Sequence, residues 1–311
     1  EGIMVLDSKA KVGQLASEYF NIETDIVFEI GLTPNRSDAM SHIGVARDLA
    51  AVLNHNNIKC QLNFADISAF KEGSEKPISI EVKDEKSCPR YAGISIKNVK
   101  VKASPYWLQK RLQSIGLTPI NNVVDITNYV LHEIGQPLHA FDAKKIENDT
   151  IIVQQLKDKT KFTTLDDEVR ELSSDDLIIC DGKNKPMCIA GVFGGKNSAV
   201  EKNTTEVFLE SAYFNPKTIR KTAKRHNLNT DASFRFERSV DPNLVVYALK
   251  RAALLIKDIC KGHISSSIID LYPNEIKYTN IELSIDKVNK LIGEKLKIDI
   301  IKSILKSLDI K

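Results

Sequence analysis

The chain has 311 residues, 42% of them hydrophobic and 27% charged, with 44 basic residues against 41 acidic ones for a net charge of +3. At roughly 100–200 residues per domain, that length points to two or three domains, and the balance excludes a disordered tail or a fibrous repeat. So small a net charge excludes a uniformly basic nucleic-acid binder and admits one only where basic residues cluster.

The opening Glu1-Gly2-Ile3-Met4-Val5-Leu6 has neither a basic start nor a long apolar run. We therefore expect no signal peptide and a cytoplasmic location; no apolar stretch reaches the roughly 18 residues a membrane span needs. The missing initiator Met leads us to expect a fragment. Cys60, Cys88, Cys180, Cys188 and Cys260 are odd in number and lack C-x-x-C spacing, which favours reduced, small hydrophobes over a disulfide framework or a zinc site.

Residues 1–64 read as one mixed unit. A strand is expected at Asp25–Ile30. A turn follows at Leu32-Thr33-Pro34-Asn35-Arg36-Ser37-Asp38, and then a helix from about Met40 to Leu53 whose apolar positions are Ile43, Ala46, Leu49, Ala50 and Leu53, capped by Ser37 or Asp38. Residues 65–78 lack periodicity and read as a linker. Alternation at Ile78–Lys83 predicts a strand, and Tyr91–Val101 continues that character. Ser104-Pro105 opens a helix that Gly116 closes, and a further helix starts near Thr127. Short apolar runs across 150–210 predict a β-rich core of hairpins. Helices return at 216–227 and 241–261. After Pro273 come a strand at Asn280–Ser284 and helices near 286–292 and 298–307.

No G-x-S-x-G, H-E-x-x-H, P-loop or G-x-G-x-x-G motif is present, and no two of the six histidines have metal-ligand spacing, so no metal site is expected. Gly194-Gly195 reads as a hairpin turn. Three segments are candidates for chemistry. Gly135-Gln136-Pro137-Leu138-His139 places an imidazole in a loop stiffened by proline, where it is either bonded to a carbonyl or titrating. Leu209-Glu210-Ser211-Ala212 puts a carboxylate at the end of an apolar strand, where it meets either a cation or a ligand donor. Thr230-Asp231-Ala232-Ser233 is a small-residue cluster, either a turn or a point of close approach.

Leu32–Asp38 with Gly44-Val-Ala-Arg-Asp48 resembles the first structural domain of bacterial phenylalanyl-tRNA synthetase beta subunits. Cys88-Pro-Arg-Tyr91, Asn121–Val130, Gly135–Asp142, Ala190–Gly195, Leu209–Ala212 and Ser233–Arg238 resemble that family's editing region, in the family's order, so the resemblance runs along the whole chain. It implies an α+β multi-domain fold: a partial N-terminal mixed domain (1–64), a linker (65–78), a β-rich editing core flanked by helices (79–266), and the start of a winged-helix-like unit (273–311). An OB-fold that binds tRNA would precede residue 1, and magnesium-binding carboxylates would follow residue 311.

By the same resemblance, the activity is hydrolysis of mischarged Tyr-tRNA(Phe), with no cofactor for that step. Aminoacylation, with ATP and Mg2+, belongs to an alpha subunit in a heterotetramer of two alpha and two beta chains. A hydrophobic pocket rejects an added hydroxyl by only about 10²-fold, whereas a pocket built to bond the hydroxyl rejects its absence by about 10⁴–10⁵. The second sieve therefore needs a buried acceptor for the phenol. The resemblance assigns this to Glu210, with Gly191 and Gly194 closing on the ring and Ala232 setting the pocket size. Thr127 and Asn128 would bind the substrate's polar end. His139 and Thr230 would hold the hydrolytic water, His139 as base or only as orienter. Thr118 stands where the family often has Arg. Two alternatives remain open at this point: a non-catalytic scaffold for the alpha subunit and tRNA, and a nucleic-acid-binding regulator built on 273–311.

Overall fold

A computed structural model describes residues 3–20 and 25–310. The N-terminal segment holds a single-turn helix α1 (Ala16–Tyr19) and then α2 (His42–His55). Residues 25–30 are extended coil without a sheet partner, not the expected strand: Ile26 and Phe28 are both 80% exposed, so the apolar run has no surface to pair with. Ser41 caps α2 by accepting from the Gly44 N–H, while Ser37 and Asp38 form a short 3-10 turn just before it. A Cβ on Gly44 would lie 2.2 Å from the Asp38 carbonyl oxygen, so only glycine lets the helix start this close to the turn. Arg36 ties the turn to the helix by bonding both Asp38 and Asp48.

Residues 65–78 form neither helix nor strand, but they are pinned: Glu75 bridges Ser266, and the Gly73 N–H donates to the Ser266 carbonyl. The core then builds through β1 (Ser79–Val82), β2 (Arg90–Lys97), α3 (Tyr106–Ser114), α4 (Asn122–Ile134) and β3 (Leu138–Asp142). It continues with β4 (Thr150–Gln155), β5 (Lys161–Thr163), β6 (Val169–Glu171), β7 (Leu177–Asp181), β8 (Pro186–Ile189), β9 (Phe193–Gly194) and β10 (Glu206–Tyr213). Helices α5 (Pro216–His226), α6 (Asp231–Phe236) and α7 (Leu244–Ile259) follow, then β11 (His263–Ile264) and β12 (Ile269–Leu271). The last elements are α8 (Ile285–Ile292) and α9 (Ile298–Ser307). Asn280–Ser284, expected as a strand, is coil apart from the Ser284 cap on α8. Helix α9 packs on α2.

Two five-stranded sheets and one hairpin organise the strands. The first sheet runs β1-β4-β7-β8-β9, with β1 parallel to β4 and the other neighbours antiparallel. The second runs β11-β2-β10-β3 with β12 also on β2, all antiparallel. β5 and β6 form a separate hairpin. Alternation sets what each face does. One face of the second sheet presents Ile94, Ile96, Val207 and Leu209, all buried, and α7 packs on β2 and β10. Gly262 confirms which face α7 covers, since a Cβ there would touch both Ile96 and Ile256 of α7. The opposite face carries Tyr91, Phe208, Glu210, His139 and Phe141.

Candidate functional site

Register brings the site together. Glu210 on β10 lies opposite His139 on β3 and Gly93 on β2, so all three point to one face. His139 is thus a strand residue and not part of a proline-stiffened loop: Pro137 ends before the ladder begins, and β10 supplies the pairing partner that the local sequence lacks. On the same face the His139 ring packs on Phe141, with centroids 4.4 Å apart, and Phe141 lies 6.5 Å from Phe208. Gly93 is required by close approach, because a Cβ there would fall 2.2 Å from the tip of the Phe208 ring.

Glu210 is 4% exposed, and its Oε2 has no hydrogen-bond partner. Among the described residues no Lys, Arg or His pairs with it. Burial pushes its carboxyl up from the usual 4.5 to about 8, opposed by the nearby Tyr91 hydroxyl. Tyr91 is fully buried, and its phenol is likewise without a partner of ordinary geometry. The two groups lie close enough to shift one another's titration, though no hydrogen bond of good geometry joins them. Burial, with the Glu210 charge second, also drives the Tyr91 phenol and the Cys88 and Cys188 thiols well upward. The resulting locus is dry, apolar and poor in cations, with one unsatisfied carboxyl oxygen. An orphaned buried polar atom of this kind is costly unless a ligand supplies its partner.

His139 borders the first sheet. A Cβ on Gly194 would sit 2.9 Å from the His139 Cε1 and 2.9 Å from the Leu165 side chain, so glycine keeps that space free. His139 keeps some exposure at the surface of the fold, but the side chains packed around its ring desolvate it and lower it from 6.5 to about 4. At neutral pH the ring is an uncharged imidazole, able to accept a proton, and Glu210 is mostly a neutral carboxylic acid. The carboxylate read from the sequence is thus held mostly uncharged, because desolvation disfavours its charge.

The remaining candidates divide. Gly191 has φ +66° and faces Phe214, Phe236 and Ile219, so its glycine is required by a turn packed into the core. Of the two glycines, Gly194 is the one beside His139. Thr230 caps α6 in a capping box with Ser233, and its hydroxyl also lies 3.0 Å from the Val192 carbonyl. With its proton directed to Val192, Thr230 has only a lone pair left for a water. Where the sequence suggests a turn or a point of close approach, the structure has the short helix α6. Ala232 is partly buried on it, against the core. Thr127 is buried and donates to the Val124 carbonyl at 2.7 Å, while Asn128 beside it is half-exposed. Both lie on α4, which packs on β3. That helix begins earlier than expected because Asn121 caps it, accepting from the Val123 and Val124 N–H groups. Thr118 is exposed in the preceding loop.

Sequence reasoning misses Tyr91, Gly93, Cys88 and Cys188 as site neighbours. The alternation of β2 puts Tyr91 and Gly93 on one face, but which strand faces them is a tertiary fact. A larger groove of about 700 Å3, bordered by Phe28, Met40, His42, Arg111, His132 and Arg235, contains none of the site residues. Several of its polar groups already have partners, since Arg235 reaches the His132 ring and the Met40 carbonyl and His42 the His132 carbonyl, while the buried His132 Nε2 has no hydrogen bond and lies 3.7 Å from Asp231. Among the described residues no cluster of three or more His, Cys, Asp or Glu could hold a metal ion, and no helix is long and apolar enough to cross a membrane.

The profile of the B3/4 domain matches residues 87–261. The chain is 52% identical to the phenylalanine–tRNA ligase beta subunit of Bacteroides thetaiotaomicron over 311 residues, covering 100% of this chain and 38% of that protein. It is 50% identical to the beta subunit of Porphyromonas gingivalis over 311 residues, with the same coverage. With that of Geobacter sulfurreducens it shares 42% over 311 residues, covering 99% and 38%. It therefore spans well under half the length of these relatives. The matched segment contains every site residue named above, from Tyr91 to Ala232, and on that match the chain belongs to the B3/4 domain family.

Proposed function

We propose that this chain is the editing part of a phenylalanine–tRNA ligase beta subunit and that it hydrolyses the ester of mischarged Tyr-tRNA(Phe). The observation that carries the reading is the unpartnered Oε2 of Glu210, buried among Tyr91, Cys88 and Cys188 with no cation to neutralise it. At neutral pH that carboxyl is mostly protonated, so a phenol hydroxyl can donate to its carbonyl oxygen or accept its proton, and phenylalanine can do neither. Because Oε2 has no access to solvent, an entering ring must displace side chains now packed around it. The neutral imidazole of His139, across the ladder from Glu210, is the group available to orient or deprotonate a water. The ester is already activated, so no covalent nucleophile is needed. In the complete enzyme, tRNA(Phe) and an alpha subunit that carries out ATP- and Mg2+-dependent aminoacylation are the partners this reading requires.

The test is single-turnover deacylation of Tyr-tRNA(Phe) and Phe-tRNA(Phe) by the 311-residue chain. We expect the tyrosyl ester to be cleaved much faster. Equal rates, or no hydrolysis of either, would reject the proposal.

A further inference from the structure

Helix α5 carries Lys217, Arg220, Lys221 and Lys224, all exposed, at the i, i+3, i+4, i+7 positions of one face, while Ile219, Thr222 and Ala223 bury the other. Among the described residues none of these four cations takes part in a salt bridge, whereas Arg225 is occupied by Asp175 and Asp176. The eleven-residue helix contains no acidic residue. Like charges at this spacing, with Lys217 near the positive end of the helix, weaken it, so the arrangement is one that an anionic partner would relieve. At 1.5 Å per residue the row is about 10 Å long, enough to follow a few phosphates of a nucleic-acid strand.

The row leads into a groove of about 290 Å3 between the end of α5 and α6. Its polar and aromatic lining includes Lys224, Asn227, Asn229, Phe234, Arg238 and one carboxylate, Glu237. Phe234 is 39% exposed, and the Arg238 guanidinium lies 3.6 Å from its ring centroid. Arg238 is paired with Glu237 at 2.6 Å and covers one face of the ring, so what the groove offers a nucleobase is the outer plane of that guanidinium, the exposed remainder of Phe234 and two carboxamides for its edge. Ser233, at the groove's inner wall, is also the capping partner of Thr230.

We infer that α5 and this groove form the docking surface for the single-stranded 3′ end of an RNA, with phosphates on the Lys217–Lys224 row and a base against Phe234. This rests on the aminoacyl-tRNA reading for the identity of the RNA and extends it to a surface outside the hydrolytic site. An acidic protein or an anionic membrane would match the charge but has no use for the aromatic, amide-lined groove.

The test is fluorescence anisotropy of the 311-residue chain with a labelled, uncharged RNA hairpin ending in a single-stranded CCA tail, measured across a salt series. No hydrolysis is involved, so the result is independent of whether the chain edits. We expect the K217Q/R220Q/K221Q/K224Q variant to bind at least tenfold more weakly, and its salt slope to flatten by roughly one for each phosphate that is no longer neutralised. Phe234→Ala should weaken the tailed hairpin about fivefold or more and leave a blunt-ended hairpin unchanged. If its melting temperature falls, Phe234→Leu, which keeps the bulk without the π face, takes its place. The inference is overturned if the wild-type chain does not bind the hairpin, if the fourfold variant keeps wild-type affinity and slope, or if the blunt hairpin binds as tightly as the tailed one. It is also overturned if polyglutamate or phosphatidylserine vesicles bind as tightly at the same salt concentration.

Discussion

Glu210 is a residue whose chemistry its neighbours decide. Apolar or neutral groups surround it, and its charge has nowhere to go, so burial holds it near pKa 8. Truncation should remove selectivity before it removes structure: Glu210→Ala is expected to erase the Tyr-over-Phe preference in deacylation, with residual hydrolysis of both esters, and parallel single-turnover rates check this. Tyr91 gives a second test of the same locus. Its hydroxyl lowers the Glu210 pKa, so Tyr91→Phe should move the Glu210 titration further upward, as read by infrared absorption of the carboxyl across pH. An unmoved titration would mean that the two groups do not face one another. Glu210 is conspicuous in the sequence, as a carboxylate ending an apolar run. Tyr91 is not, because a buried tyrosine in a strand is ordinary until its orphaned hydroxyl is placed beside an orphaned carboxyl.

At the level of elements, the two candidate glycines separate into different jobs. Gly191 at φ +66° sits against Phe214 and Phe236, so Gly191→Ala should destabilise the chain by about 1–2 kcal/mol, the cost of forcing a side chain into left-handed backbone, measured by denaturant unfolding. Ala232, on a helix whose cap is supplied by Thr230, offers the contrasting case: Ala232→Trp should leave the unfolding midpoint nearly unchanged and block tyrosine binding in calorimetry. Long periodic elements are legible in the sequence: α2, α5, α7 and α9 fall close to where their 3.6-residue spacing puts them. Short ones are not. The six residues of α6 show no periodicity to read, and β3 is a strand only because β10 pairs with it. Asp25–Ile30 and Asn280–Ser284 have strand-like composition yet form none, since β-propensity is realised only where a neighbouring strand and a buried face exist.

For the whole molecule, the two neutralised groups of the site predict a pH profile. Glu210 has a folded pKa above its unfolded value, so its contribution to stability is complete below about 4.5 and is lost as pH rises toward and through about 8. His139 has a folded pKa below its unfolded value, so its contribution is present above about 6.5 and is lost as pH falls through about 4. Between about 4.5 and 6.5 the two slopes oppose one another. Stability should therefore be flat in that window and decline on either side as far as these groups are concerned. Denaturant midpoints across pH check this. Glu210→Gln should remove much of the alkaline decline, and His139→Gln much of the acidic one. Profiles that coincide with wild type would show that neither group is as desolvated as the fold places it.

What the sequence determined by itself was the set of parts: amphipathic helices, a β-rich middle, motifs that resemble those of a phenylalanyl-tRNA synthetase beta-subunit editing region, and a carboxylate and an imidazole at suspicious positions. Those are local properties, carried by spacing and residue type within a few positions of one another. Tertiary structure alone decided which of these parts meet. The register of β10 between β2 and β3 sets Glu210 opposite His139 and Gly93 over separations of 71 and 117 residues, and the approach of the first sheet places Gly194 against the imidazole. Only that packing withdraws the carboxyl from water. Its neutrality at pH 7 and its missing partner follow from desolvation, a property of the surroundings and not of the glutamate.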